Sequence, residues 1–169
     1  MLHLKLPTDP RWTNIAEKNI EEILIDHAYC EQTAASTCIS LIVLFPDKEE
    51  LVDVLTPVVA EEWEHFERVI KQMKKRGIAL GRQRKDEYVN QLAKKLKKGG
   101  SREQQLVEKL LLSALIEARS CERFKLLWQN LADEELKEFY YELMVSEAGH
   151  YTNFISLARK YRPREEVDQ

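Results

Sequence analysis

An all-α fold, four long helices in one bundle, is what this sequence predicts, and three observations carry the prediction. Only five Gly and five Pro occur in 169 residues, so breaks are few and elements are long. Those breaks, with the capping residues beside them, divide the chain into four long stretches. Apolar residues make up 44% and charged residues 33%, a balance that suits helices with one buried stripe and one wet face.

Asp9-Pro10 starts the first helix, a cap residue followed by Pro at a position that needs no N–H. From Arg11 to Phe45 there is neither Gly nor Pro, and Pro46 ends the run. Asp47 and Glu50 have capping-box spacing for a second helix, which Pro57 kinks or restarts and Gly77 closes. Ser101 with Gln104 repeats the capping-box pattern and opens a third helix to about Gln129. Residues 130–133 form the next break. Asp133 caps a fourth helix that ends near Tyr161, ahead of Pro163, and residues 162–169 are expected as a mobile tail. Each helix has about 25–35 residues, or roughly 40–50 Å at 1.5 Å per residue.

Residues 78–101 differ from the rest, being polar and basic and bounded by Gly77 and Gly99-Gly100. A connection this long between two helix hairpins is expected to run along the bundle as a crossover, with a short helix from Arg84 to Lys97. The length argues for one domain, residues 1–169, with one core. No apolar run approaches the roughly 20 residues of a membrane span, and residues 1–6 lack a signal peptide's apolar core. Cys30, Cys38 and Cys121 are odd in number and form no Cys-x-x-Cys pair, so they read as thiols of a cytoplasmic protein.

Two stretches share one motif, Glu62-Trp63-Glu64-His65 in the second helix and Glu147-Ala148-Gly149-His150 in the fourth. At i and i+3 each Glu and His share a helix face. Around the first pair that face holds Leu55, Val58, Val59, Phe66, Val69 and Met73; around the second, Tyr140, Leu143, Met144, Tyr151, Phe154 and Ala158. Both motifs therefore point into an apolar seam. Glu31 sits in a similar seam in the first helix, among Leu24, Ala28, Ala35 and Cys38, and Glu117 in the third, among Leu110, Ala114, Cys121 and Phe124. Glu31 precedes Glu62 by 31 positions and Glu117 precedes Glu147 by 30, so the chain reads as two similar hairpins.

Four carboxylates facing one core repel one another, and burying one unpaired charge costs several kcal/mol. Two metal ions resolve the conflict, and two imidazoles complete an oxygen and nitrogen donor set suited to iron or manganese. Glu122 competes with Glu117 for the third-helix position. Its face, with Arg119, Lys125 and Gln129, is wetter and more basic, so Glu117 is preferred, and Glu122 is left beside the site or paired with an arginine. His27, one turn before Glu31, reads as a core histidine or a partner of that glutamate.

Between Lys71 and Arg102 lie twelve of the 26 basic residues and two of the 29 acids. This asymmetry reads as a phosphate-binding surface, with a solvated charged face as the alternative, and Lys74, Lys75, Arg76, Arg82, Arg84, Lys85, Lys94, Lys95, Lys97 and Lys98 are the nucleic-acid-binding candidates. Tyr88 is the single aromatic within the stretch, so base stacking is only weakly signalled.

The stretches Asp26-His27-Ala28-Tyr29-Cys30-Glu31, residues 115–124 around Glu117, and Ser146-Glu147-Ala148-Gly149-His150-Tyr151 resemble the tRNA 2-methylthio-N6-isopentenyladenosine hydroxylase family, over roughly Leu6 to Tyr161. The resemblance implies a ferritin-like four-helix fold. It also implies a non-haem di-iron monooxygenase that uses O2 to hydroxylate the isopentenyl group of a modified adenosine beside the tRNA anticodon. Carried onto this chain, the ligands of its two iron ions are Glu31, Glu62, His65, Glu117, Glu147 and His150. An external electron donor of ferredoxin or reductase type is expected, since no flavin or iron–sulfur motif is visible. The alternatives are a ferritin-like oxidase or peroxidase without an RNA substrate, or a metal-braced binding module without catalysis.

Overall fold

The structure is a computed structural model that describes residues 2–83, 87–96 and 99–168. All regular structure among these residues is helical. The elements are α1 Trp12–Lys18, α2 Ile20–Leu44, α3 Glu49–Lys75, α4 Glu87–Ala93, α5 Arg102–Asn130, α6 Glu134–Tyr161 and α7 Arg164–Val167. Where one domain is expected, the chain groups into two compact units. One is Ile15–Lys85, built on α2 packed against α3; the other is residues 1–14 with 86–169, built on α5 packed against α6.

The end of α3 and the starts of α5 and α6 form where the punctuation places them. Ser101 caps α5 with both bonds of a capping box: the Gln104 N–H donates to Ser101 Oγ at 3.1 Å, and the Ser101 N–H donates to Gln104 Oε1 at 2.7 Å. Asp133 caps α6 by accepting the Leu136 N–H at 3.0 Å. At the end of α3 the Ile78 N–H reaches the Met73 carbonyl and the Gly77 N–H reaches the Lys74 carbonyl. Gly77 has φ +69°, which a residue with a Cβ adopts only at a cost, and so the helix ends in a Schellman motif.

Several boundaries differ from the sequence reading. The first helix is not one run, because Asn19 interrupts it. The Asn19 side-chain amide donates to the Ile15 carbonyl at 2.7 Å and its N–H turns back to Ala16, so an Asn side chain competing for backbone groups replaces a turn of α-helix. Asp9 does organise the start, accepting the Arg11 N–H on Oδ1 and the Trp12 N–H on its carbonyl. The second capping box does not form: the N-cap is Lys48, with no side-chain cap bond, because the Lys48 N–H closes a turn on the Phe45 carbonyl. Pro57 does not restart α3, which runs unbroken from Glu49 to Lys75. The crossover helix α4 ends at Ala93, short of the expected Lys97, while Arg84, Lys85 and Lys97 lie outside the described residues. The tail expected to be mobile instead makes the turn α7, held by Asp168 accepting from Arg159 and Arg164, with Val167 buried.

Within the first unit Leu24, Leu41, Leu51, Leu55 and Met73 are buried; within the second, Leu106, Leu110, Tyr140, Leu143 and Phe154 are. Each such side chain contributes about 1.5–3 kcal/mol on leaving water. Among the described residues no helix is long and apolar enough to cross a membrane.

Candidate metal centre

Each hairpin holds one carboxylate–imidazole triad. In α2 and α3, Glu31, Glu62 and His65 are all buried, with exposures of 4%, 0% and 4%. Their donor atoms lie within 4.8 Å of one another. Nδ1 of His65 stands 3.5 Å from Glu62 Oε2 and 3.6 Å from Glu31 Oε2. In α5 and α6, Glu117, Glu147 and His150 are buried in the same way, again with donor atoms within 4.8 Å, and His150 Nδ1 is 3.6 Å from Glu147 Oε2.

The local reason is the helical repeat. Glu62 and His65 share a face with Leu55, Val58, Val69 and Met73, all buried. Glu147 and His150 share one with Tyr140, Leu143, Phe154 and Ala158, also buried. Phe66, expected on the inward face, instead sits at its edge, half-buried, with its ring 4.9 Å from that of Trp63. Gly149, between Glu147 and His150, lies on the exposed side of α6 and has open space where a Cβ would be.

His27 extends the first triad. Its Nε2 is 2.5 Å from Glu31 Oε1, and both side chains are about 5% exposed. Glu122 does something else. Its carboxylate accepts the Thr8 N–H and hydroxyl and a 2.5 Å bond from Arg119, whose other Nη donates to the Leu6 carbonyl. Burial alone would raise the Glu122 carboxyl; the bonds from Thr8 and Arg119 outweigh it and hold the carboxyl below its ordinary range. Glu122 thus anchors the chain before α1, a role the sequence reading allowed only as an arginine pair. Thr8 carried no sequence signal for it.

Two buried thiols lie near the triads. Burial, then the charge of Glu62, pushes Cys38 up to about 12; burial, then Glu147, pushes Cys121 up to about 11. Cys121 Sγ also donates to the Met144 carbonyl at 3.3 Å.

Of the basic candidates, Lys74 and Lys75 are exposed at the end of α3, Arg82 is exposed beyond Gly81, and Lys94 and Lys95 are exposed after α4. Arg76 is half-buried and donates to the carbonyl and side chain of Gln72. Arg84, Lys85, Lys97 and Lys98 lie outside the described residues.

A buried triad of two carboxylates and one imidazole fits a divalent or trivalent cation. Two like charges away from water need a counter-charge, and hard oxygen with borderline nitrogen is the donor chemistry of iron and manganese.

The chain is similar to known proteins in sequence and in fold. The chain is 39% identical over 158 residues, 94% of its length and 76% of the relative's, to the tRNA 2-(methylsulfanyl)-N(6)-isopentenyladenosine(37) hydroxylase of Pseudomonas putida. The Salmonella typhimurium protein of the same name is 36% identical over 115 residues, covering 68% of this chain and 42% of that protein. A solved structure, a Synechococcus protein described as having aldehyde deformylating oxygenase activity, aligns with TM-score 0.92 at 36% identity. The alignment covers 97% of this chain and 81% of that one. The fold is therefore all-α and ferritin-like. Residues 1–169 match the family described as tRNA-(MS[2]IO[6]A)-hydroxylase (MiaE), and the chain belongs to that family.

Proposed function

We propose that this chain is an O2-dependent di-iron monooxygenase that hydroxylates the isopentenyl group of 2-methylthio-N6-isopentenyladenosine in tRNA. The family match over the whole chain carries the reading, and the two buried triads support its chemistry. Glu31, Glu62, His65, Glu117, Glu147 and His150 are the proposed ligands of two iron ions, each hairpin contributing two carboxylates and one imidazole. Two iron ions held there supply the activation of O2 needed to attack an unactivated C–H bond.

The chain's own residues do the rest. Within each hairpin the two carboxylates would balance the charge of a bound divalent ion. Buried Leu55, Val58, Tyr140 and Phe154 keep water from the donor atoms, so that the reducing equivalents are not lost to side reactions. His27 holds Glu31 from behind at 2.5 Å and fixes its orientation. One oxygen atom of O2 enters the new C–OH group and the other leaves as water, which requires two electrons and two protons. An external donor of ferredoxin or reductase type supplies the electrons. The exposed lysines hold RNA phosphates, and a tRNA substrate places the enzyme in the cytoplasm.

The test is reconstitution with iron, reduction, and O2 addition in the presence of tRNA bearing the methylthio-isopentenyl adenosine. Digested nucleosides are followed by mass spectrometry. A gain of one oxygen that disappears in Glu117→Ala supports both reaction and ligand. The Synechococcus likeness favours one second reading, an oxygenase of the same fold acting on a small molecule without RNA. O2 consumption with an unchanged nucleoside would select it.

A further inference from the structure

The outward face of α3 carries a strip in which Trp63, Phe66 and Ile70, given no role above, run into the lysines at the helix end. Trp63 directly follows Glu62, yet it points away from the triad and is 46% exposed. Phe66 lies against it, ring centroids 4.9 Å apart and tilted by 37°. Ile70 continues the strip one turn on, and Lys71, Lys74 and Lys75 complete it, all lining one open groove of about 480 Å³. The spacing of Trp63, Phe66, Ile70 and Lys74 follows the helical repeat, so these four share one face. Glu67 is the one acid in the groove, against three lysines, leaving the strip with positive charge.

We infer that this strip is a docking surface for an unpaired nucleobase and its flanking phosphates in the RNA loop that carries the substrate adenosine. This rests on the tRNA reading above and names where such a loop would be held. An exposed Trp beside a second ring offers a flat apolar face of the kind on which any unstacked base stacks, and stacking of this sort tolerates sequence. The three ammonium groups at one end add the charge that a phosphate backbone requires. An aliphatic partner would leave the lysines without purpose, and an acidic protein would leave the aromatic pair without one; RNA uses both.

The test uses the iron-loaded chain, an anticodon stem–loop bearing the modified adenosine, and fluorescence anisotropy across a salt series. Variants are Trp63→Ala, Trp63→Phe and the triple Lys71/Lys74/Lys75→Gln, each checked for helical content and iron content. Trp63→Ala should weaken binding by about tenfold or more, with Trp63→Phe recovering most of the loss. The triple variant should bind more weakly at low salt and flatten the salt dependence by about two ions. Unchanged affinity and salt slope in these variants, with wild-type hydroxylation intact, would overturn the surface and leave the proposed reaction standing. A wild-type protein that neither binds nor modifies the RNA would overturn both. Concentration-dependent self-association lost in Trp63→Ala, with RNA affinity unchanged, would assign the strip to a second copy of the chain and overturn the inference.

Discussion

His27 and Glu31 are bound to each other inside α2, Nε2 to Oε1 at 2.5 Å, one turn apart and both almost without solvent contact. A buried imidazole that fixes one oxygen of a carboxylate leaves the other to face His65, and Glu31 Oε2 does lie 3.6 Å from His65 Nδ1. His27→Ala should therefore leave the helix formed and lower iron affinity by about 10- to 100-fold, the usual loss when a ligand's supporting partner is removed. Competition with a chelator of known affinity measures it directly.

Glu122 and Glu117 should behave oppositely. Glu122→Gln should keep full iron stoichiometry and lose about 1–3 kcal/mol of stability, because Arg119 and Thr8 lose a charged acceptor in a mostly buried place. The Glu122 carboxyl is held below its ordinary 4.5, so its contribution is present above that pH and is lost as pH falls through the folded-state value. Urea midpoints between pH 6 and pH 3 should fall more steeply in the wild type than in Glu122→Gln. Glu117→Gln should instead lose iron.

Chelation should lower the melting temperature. Metal that binds only the folded chain stabilises it by about 4 kcal/mol when free metal exceeds Kd a thousandfold. Calorimetry with and without iron should show the shift, and His65→Ala and His150→Ala should each reduce it.

The three thiols should separate by reactivity. Cys38 and Cys121, buried and pushed up to about 12 and about 11, stay protonated at pH 8, whereas Cys30 is exposed. A thiol reagent should modify one cysteine rapidly in the native protein and three in denaturant, with peptide mapping identifying Cys30.

Ser101→Ala removes half of a capping box that joins the basic crossover to α5, and should cost about 1 kcal/mol in denaturant unfolding.

The parts of this molecule that could be read without a structure are those set by local periodicity. Glu62 with His65, and Glu147 with His150, declare their face through the apolar residues three, four and seven positions away. Glu31 and Glu117 do the same, and the preference for Glu117 over Glu122 followed from the basic neighbours of the latter. What could not be read depends on contacts distant in sequence or on competition between near-equal local bonds. Thr8 finds Glu122 at a separation of 114 residues. Asn19 breaks a run whose composition is otherwise helical, because its side chain takes a carbonyl that the helix could have used. Asp47 has the right spacing to cap α3, but the turn closed by Lys48 on Phe45 moves the helix start past it. Trp63 was read only as a spacer inside a motif, and its exposure becomes evident once Phe66 is seen to leave the core and lie against it.

The division of donors between two hairpins also has a meaning in time. His150 leaves the ribosome 85 residues after His65, which at about 5–20 residues per second is roughly 4–17 seconds of synthesis. During that interval the first hairpin offers only two carboxylates and one imidazole. On the proposed ligand assignment, a nascent chain holds iron only weakly until its second half has been made, so metal capture and the completion of translation are coupled, and early loading with the wrong ion has little to hold it.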